Sequence, residues 1–177
     1  MKSKRLFIAI PLPGSLKEFL IDQAVRHALP GKLTPGKNLH ITVHFLGETD
    51  DEALPSLIEE INAVTKSISG FELVTNKIIL KKRRGGHMLW AHVCSSESFS
   101  DLVKRIRTRL DPERSEGSVS PHITLSRVKK GKADLKENEF PHPFETRPIH
   151  VDRIGLWESR LGEGSPVYIS HKDFPLE

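Results

Sequence analysis

The sequence predicts an α+β fold: two pseudo-symmetric lobes with antiparallel sheets flanked by helices, and a groove between the lobes. Three observations carry this. The stretch Asn38 to Gly47, Asn-Leu-His-Ile-Thr-Val-His-Phe-Leu-Gly, has a near-copy at Ser120 to Arg127, Ser-Pro-His-Ile-Thr-Leu-Ser-Arg. Strand, helix, His-x-Thr strand and helix come early, and helix and His-x-Thr strand recur later without a fixed short period, which reads as a duplicated unit and not a solenoid. Hairpins mixed with helices point to antiparallel sheets covered by helices.

Leu6 to Ile10 reads as the first strand, an apolar run stopped by Pro11. Ser15 and Glu18 form a capping box for a helix from about 15 to 29, whose apolar face is Leu16, Phe19, Leu20, Ala24 and Ala28, ended by Pro30-Gly31. Lys32 to Lys37 is a turn into the first His-x-Thr strand, which Gly47 closes. Leu54, Leu57, Ile58, Ile61, Val64 and Ile68 mark a second helix; Pro55 sits awkwardly behind a cap at Thr49, so the helix starts late. Phe71 to Thr75, Lys77 to Lys82 and Met88 to Val93 read as strands, the last two joined by a Gly85-Gly86 turn. Phe99, Leu102, Val103, Ile106 and Leu110 make a third helix halted at Asp111-Pro112. Glu113 to Ser120 is loop before the second His-x-Thr strand. Lys129 to Pro148, charged and rich in Pro and Lys, is expected to be a long excursion with at most a short helix. Ile149 to Trp157 and Val167 to Ser170 are the closing strands around a turn-rich Glu158 to Pro166.

At 177 residues the chain suits one domain, or two small lobes sharing a core. Its 37% hydrophobic and 28% charged residues are those of a globular protein; no apolar run approaches a membrane span and no secretory signal is visible. One cysteine, Cys94, excludes an internal disulfide and fits a reducing, cytoplasmic setting. A net charge of +4 leans mildly toward anionic partners.

On a strand, His40 and Thr42 project from one face while Leu39, Ile41, Val43 and Phe45 line the other; His122 and Thr124 oppose Ile123 and Leu125 in the same way. With nine His and eight Thr in the chain, His-x-Thr is expected about 0.4 times by chance, and roughly 0.05 times with apolar residues at both free positions. Two such copies therefore have a probability on the order of 0.001, so the pair is a signal although neither copy alone is. Two imidazoles facing each other across a groove suit phosphodiester chemistry without a metal: one takes the nucleophile's proton and the other protonates the leaving oxygen. Thr42 and Thr124 would donate to the non-bridging oxygens, where negative charge builds.

These paired motifs resemble the two-histidine phosphoesterase superfamily. Arg5-Leu6-Phe7-Ile8-Ala9-Ile10, Asn38 to Glu48, Pro121 to Lys129, Glu158-Ser159-Arg160-Leu161 and Ser165-Pro166-Val167-Tyr168 resemble its RNA 2′,3′-cyclic phosphodiesterase branch, also called the 2′-5′ RNA ligase family. The resemblance implies a single bilobal domain over residues 1–177 with the active site between the lobes. It implies hydrolysis of a terminal RNA 2′,3′-cyclic phosphate to a 2′-phosphomonoester, with reversible 2′-5′ joining as a side activity and no cofactor. Carried over, His40 matches the proton donor to the leaving 3′ oxygen, His122 the base that activates water, Thr42 and Thr124 the phosphate-binding threonines, and Arg127 a basic residue near the phosphate. By parity Arg127 faces with Ile123 and Leu125, so it reaches the groove only if the strand ends or bulges first. The closing pattern departs from the usual one by a residue inserted before Tyr168. The expected partner is RNA with 2′,3′-cyclic phosphate ends, bound by a monomer and without a membrane.

Two other readings stay open at this level: hydrolysis of a small cyclic phosphate or cyclic nucleotide, and a non-catalytic RNA-binding module. His44 shares the face of His40, but a zinc site there would lack a third ligand. His87 and His92, five apart, face opposite ways. Lys81-Lys82-Arg83-Arg84 at a hairpin tip reads equally as an RNA-backbone contact and as a solvated turn. Trp90 and Trp157 read as core, Cys94 as an inert small hydrophobe at a strand end, and Phe7, Phe45 or Trp157 as rings able to stack a terminal base.

Overall fold

The computed structural model describes residues 2–114, 119–133, 135–162 and 166–177. Among these, nine strands join one sheet and three helices pack against it. The strands are β1 (Ser3–Pro11), β2 (Lys32–Leu33), β3 (His40–Asp50), β4 (Phe71–Arg83), β5 (Gly86–Cys94), β6 (His122–Lys129), β7 (His142–Val151), β8 (Arg153–Arg160) and β9 (Val167–Pro175). The helices are α1 (Gly14–Arg26), α2 (Leu54–Thr65) and α3 (Glu97–Leu110). The spatial order is β7-β4-β5-β6-β3-β1-β8-β9, with β2 added to β6. Every pairing is antiparallel. The two-lobed α+β expectation is therefore met: β7-β4-β5-β6 form one half, β3-β1-β8-β9 the other, and the halves meet where β6 and β3 carry the two His-x-Thr motifs.

The core lies between one face of the sheet and the helices. Leu6, Ile8, Ile10, Leu39, Ile41 and Val43 from one half, and Leu89, Ala91, Ile123 and Leu125 from the other, are fully or almost fully buried against Leu16, Leu20, Ile61, Phe99, Leu102 and Ile106. Burying such side chains stabilises the fold by about 1.5–3 kcal/mol each. No helix among the described residues is long and apolar enough to cross a membrane.

Several boundaries differ from the sequence reading, each for a local reason. The helix α1 starts at Gly14, one residue before the expected cap, with Pro13 as N-cap and no side-chain cap bond. Ser15 thus falls inside the first turn. Pro55 occupies the first positions of α2, where its missing N–H costs nothing, so the late start is realised. Ser96 caps α3, accepting from the Phe99 N–H at 3.1 Å. The strand β3 runs through Gly47 to Asp50, because Gly47 takes φ +81° and lets the strand bulge instead of ending. The two strands expected over 71–82 form one, β4, bulged at Asn76.

The largest correction concerns Lys129 to Pro148. Most of its second half is β7, which pairs with β4 from Phe71↔Val151 to Ile78↔His142. It is an edge strand, where Pro143 and Pro148 remove no donor that the sheet needs. The strand expected over Ile149 to Trp157 is divided at Asp152 between β7 and β8. Part of the Glu113 to Ser120 loop and part of the Glu158 to Pro166 turn fall outside the described residues. Cys94 ends β5, as expected, and is exposed.

Candidate active site

The strands β3 and β6 touch through the pair Ile41↔Ile123. In an antiparallel pair, the residue before one partner lies beside the residue after the other. His40 therefore sits next to Thr124, and Thr42 next to His122, on the face away from the core. Each strand completes the other's His-Thr set.

Both imidazoles are held in the same way. The His40 Nδ1–H donates to the Asn38 carbonyl at 2.6 Å, and the His122 Nδ1–H donates to the Ser120 carbonyl at 2.9 Å. A carbonyl can only accept, so Nδ1 must carry the hydrogen and Nε2 is left to exchange protons in the neutral ring. At His40 that nitrogen lies 3.1 Å from the Thr42 hydroxyl. Burial pushes the His40 imidazole down from 6.5 to about 4; the bond to Asn38 opposes this, while His122, Arg127 and Lys17 add to it. His122 is lowered too, chiefly by burial against the opposing Ser120 bond, with Arg83, Arg127 and Lys81 contributing.

Aromatic rings build the floor. His40 is packed by Phe7, Tyr168 and Trp157 at ring-centre distances of 5.1, 5.2 and 5.4 Å. His122 stacks on Trp90 at 3.5 Å with planes 17° apart. Arg83 and Lys81 lie over the same Trp90 ring at 4.9 and 5.9 Å. Both tryptophans are buried, as expected, yet they belong to the groove face and support the histidines from below.

Two bulges set the side-chain directions beyond each motif. Ile8 pairs with His44 but Ala9 with Thr42, so Val43 is an extra residue in β3. Leu89 pairs with Ser126 but Trp90 with Thr124, so Leu125 is extra in β6. After each bulge the alternation is shifted by one residue. His44, expected beside His40, is instead buried with its Nε2 3.5 Å from the Asp111 carboxylate. Phe45, expected on the apolar face, emerges on the groove face, 62% exposed and 5.9 Å from Phe7. Arg127 is turned into the groove, the condition its role required. Phe45 and Arg127 thus occupy the same slot in the two halves, three residues after the motif threonine.

A cavity of about 410 Å³ opens beside His40, Thr124 and Arg127. Leu33, Pro35, Met88 and Val128 give it apolar walls, and Lys32, Arg83 and Lys129 line it as well. Asn38 also lines it: its Nδ2 donates to the Pro166 carbonyl at 2.6 Å, and its buried Oδ1 has no hydrogen-bond partner among the described residues. His122 and Thr42 do not line this cavity. Sequence reasoning missed Asn38, and it missed His92, which lies directly opposite His122 in the β5–β6 ladder. The signal for His92 was its even spacing from Trp90 along β5. No group of three or more His, Cys, Asp or Glu among the described residues is placed to hold a metal ion.

The family model for the 2′-5′ RNA ligase superfamily matches residues 12–163. Relatives named RNA 2′,3′-cyclic phosphodiesterase include one from Methanocaldococcus jannaschii, 29% identical over 93% of this chain and 96% of its own length. Another, from Thermotoga maritima, is 25% identical over 93% and 91%. Among solved structures, E. coli LigT complexed with NADP+ superposes with a TM-score of 0.81 at 25% identity, over 99% of both chains. TT0787 of Thermus thermophilus gives 0.81 at 25% over 97% of both.

Proposed function

Since the chain belongs to the 2′-5′ RNA ligase superfamily, we propose that it hydrolyses the terminal 2′,3′-cyclic phosphate of RNA to a 2′-phosphomonoester, without a metal, as one bilobal domain. The observation that carries this reading is the antiparallel crossing at Ile41↔Ile123, which sets each histidine beside the other strand's threonine. The relatives are named for an activity of the same class.

Water attacks the phosphorus in line with the P–O3′ bond. The His122 Nε2 takes the water proton, the P–O3′ bond breaks, and the His40 Nε2 gives its proton to the departing 3′ oxygen. The Thr42 and Thr124 hydroxyls donate to the non-bridging oxygens, and Arg127 offsets their charge. Both imidazoles are depressed by burial and by neighbouring cations. An anionic cyclic phosphate seated between them favours the protonated ring, so substrate binding itself charges the acid. The same in-line attack, with an RNA 5′-hydroxyl in place of water, gives 2′-5′ joining.

The test is turnover of an oligonucleotide ending in a 2′,3′-cyclic phosphate in excess EDTA, with the phosphorylated position on the product sugar identified. A 2′-phosphate formed undiminished by the chelator is expected. A strict metal requirement, or full activity in His122→Ala, would refute the reading.

A further inference from the structure

The groove face is electrically lopsided. Across β4, β5, β6 and β2, the directly opposed residues Lys81, Met88, Arg127 and Lys32 form one row, since Lys81↔Met88, Met88↔Arg127 and Lys32↔Arg127 are ladder partners. The next row is Arg83, Gly86 and Lys129. Directly opposed residues share a face of a sheet, so five cations stand on the groove side of one half, spread over three strand gaps of about 4.8 Å each. Gly86 has φ +137°, and a Cβ there would collide with the Val128 carbonyl, which keeps the second row flat between Arg83 and Lys129.

None of the five is ion-paired among the described residues, whereas Arg26, Arg105, Arg109, Arg147, Arg153 and Arg160 each meet a carboxylate. The other half presents a wall of Phe7, Phe45, Trp157 and Tyr168 around His40. Its outer strand end, Glu48 to Asp51, is acidic. A polyanion leaving the two histidines therefore has one favourable direction. The cavity between the cationic rows and Asn38 has the apolar walls a nucleobase needs.

We infer that the nucleotides 5′ to the cyclic end run over the β2–β6–β5–β4 half, with backbone phosphates on the two cationic rows and one base in the cavity beside His40. This rests on the phosphodiesterase reading and makes the preferred substrate an oligonucleotide, not a mononucleotide.

Turnover of a 2′,3′-cyclic mononucleotide is compared with that of a cyclic-ended hexanucleotide over a range of salt concentrations, in the wild type and in Lys32→Ala and Lys129→Ala. The hexanucleotide is expected to show a kcat/KM at least tenfold higher at low salt. Its log–log salt slope is expected to become shallower by about 0.7 for each lysine removed. Lys129→Arg, which keeps the charge, restores the slope; Lys129→Glu lowers the ratio of hexanucleotide to mononucleotide kcat/KM further than alanine does. Equal kcat/KM for the two substrates, or slopes untouched by the lysine variants, overturns the inference while leaving the phosphodiesterase reading intact. Absence of turnover on both substrates removes that reading itself.

Discussion

The Asn38 side chain is tied to the Pro166 carbonyl, 128 positions away in the chain, at 2.6 Å, while the Asn38 carbonyl accepts the His40 Nδ1–H at the same distance. One buried residue therefore joins the start of β9, which carries Tyr168, to the imidazole that Tyr168 packs against. Asn38→Ala keeps the carbonyl and loses the tie. Losing a buried hydrogen bond of this kind costs about 1–2 kcal/mol. The expected result is a lowered denaturation midpoint and a reduced kcat, with the His40 titration moved toward the solvent value; an unshifted NMR titration would show the tie to be only structural.

Removal of either imidazole should cost about 10²–10⁴ in kcat, since the proposed mechanism assigns one proton transfer to each. His40→Ala and His122→Ala are expected to stay folded, because both rings lie on the groove face and not among the helices. The double variant should be little worse than either single one, because the two act on one transition state. Multiplicative losses in steady-state rates would contradict a shared step.

The pH dependence has a definite sign. Burial holds both histidines below the ordinary 6.5, and kcat/KM reports the free enzyme. Its maximum is expected on the acid side of neutrality, falling about tenfold per pH unit beyond the upper limb. The kcat profile should be displaced to higher pH, because the bound phosphate raises both groups. A kcat/KM maximum above about pH 7.5 would contradict this.

The same shift couples pH to stability. With His40 at about 4 when folded and 6.5 when unfolded, the unfolded chain binds the extra proton between those values. Stability therefore rises with pH through that window, and this contribution is complete above 6.5 and lost below 4. The amplitude is on the order of 3 kcal/mol. Denaturant midpoints measured from about pH 4 to 7 should rise more steeply in the wild type than in His40→Asn; parallel curves would show that His40 is not the linked group.

Trp90 covers one face of His122 and carries Arg83 and Lys81 above its own ring. Trp90→Leu should destabilise the protein by about 2–4 kcal/mol. By admitting water it should also bring the His122 titration back toward its ordinary value. An unchanged His122 titration by NMR would assign the shift to the cations alone.

Sequence reasoning assigned side chains to faces through local alternation, and it failed where alternation was interrupted. His40, Thr42, His122 and Thr124 precede the bulges at Val43 and Leu125, so period-two reasoning places them correctly. His44 and Phe45 follow a bulge and exchange the faces expected of them. No residue type in Val43 or Leu125 marks the extra residue, because a bulge is set by the neighbouring strand. The composition of His142 to Val151, with Pro143, Pro148, Glu145 and Arg147 among its ten residues, conceals a strand because an edge tolerates what an interior strand would not. The helices were legible in their apolar spacing, while the start of α1 depended on where β1 released the chain at Pro11.

The unpaired residue at position 43 acts as a frame shift for side-chain direction. Were Val43 to take a regular place in the ladder, strict alternation along β3 would drive the Phe45 ring into the helical layer and swing the His44 imidazole out beside His40. The groove would then carry a third titratable ring where it now has an aromatic one. Whether one residue is paired or skipped thus determines how many imidazoles this surface displays.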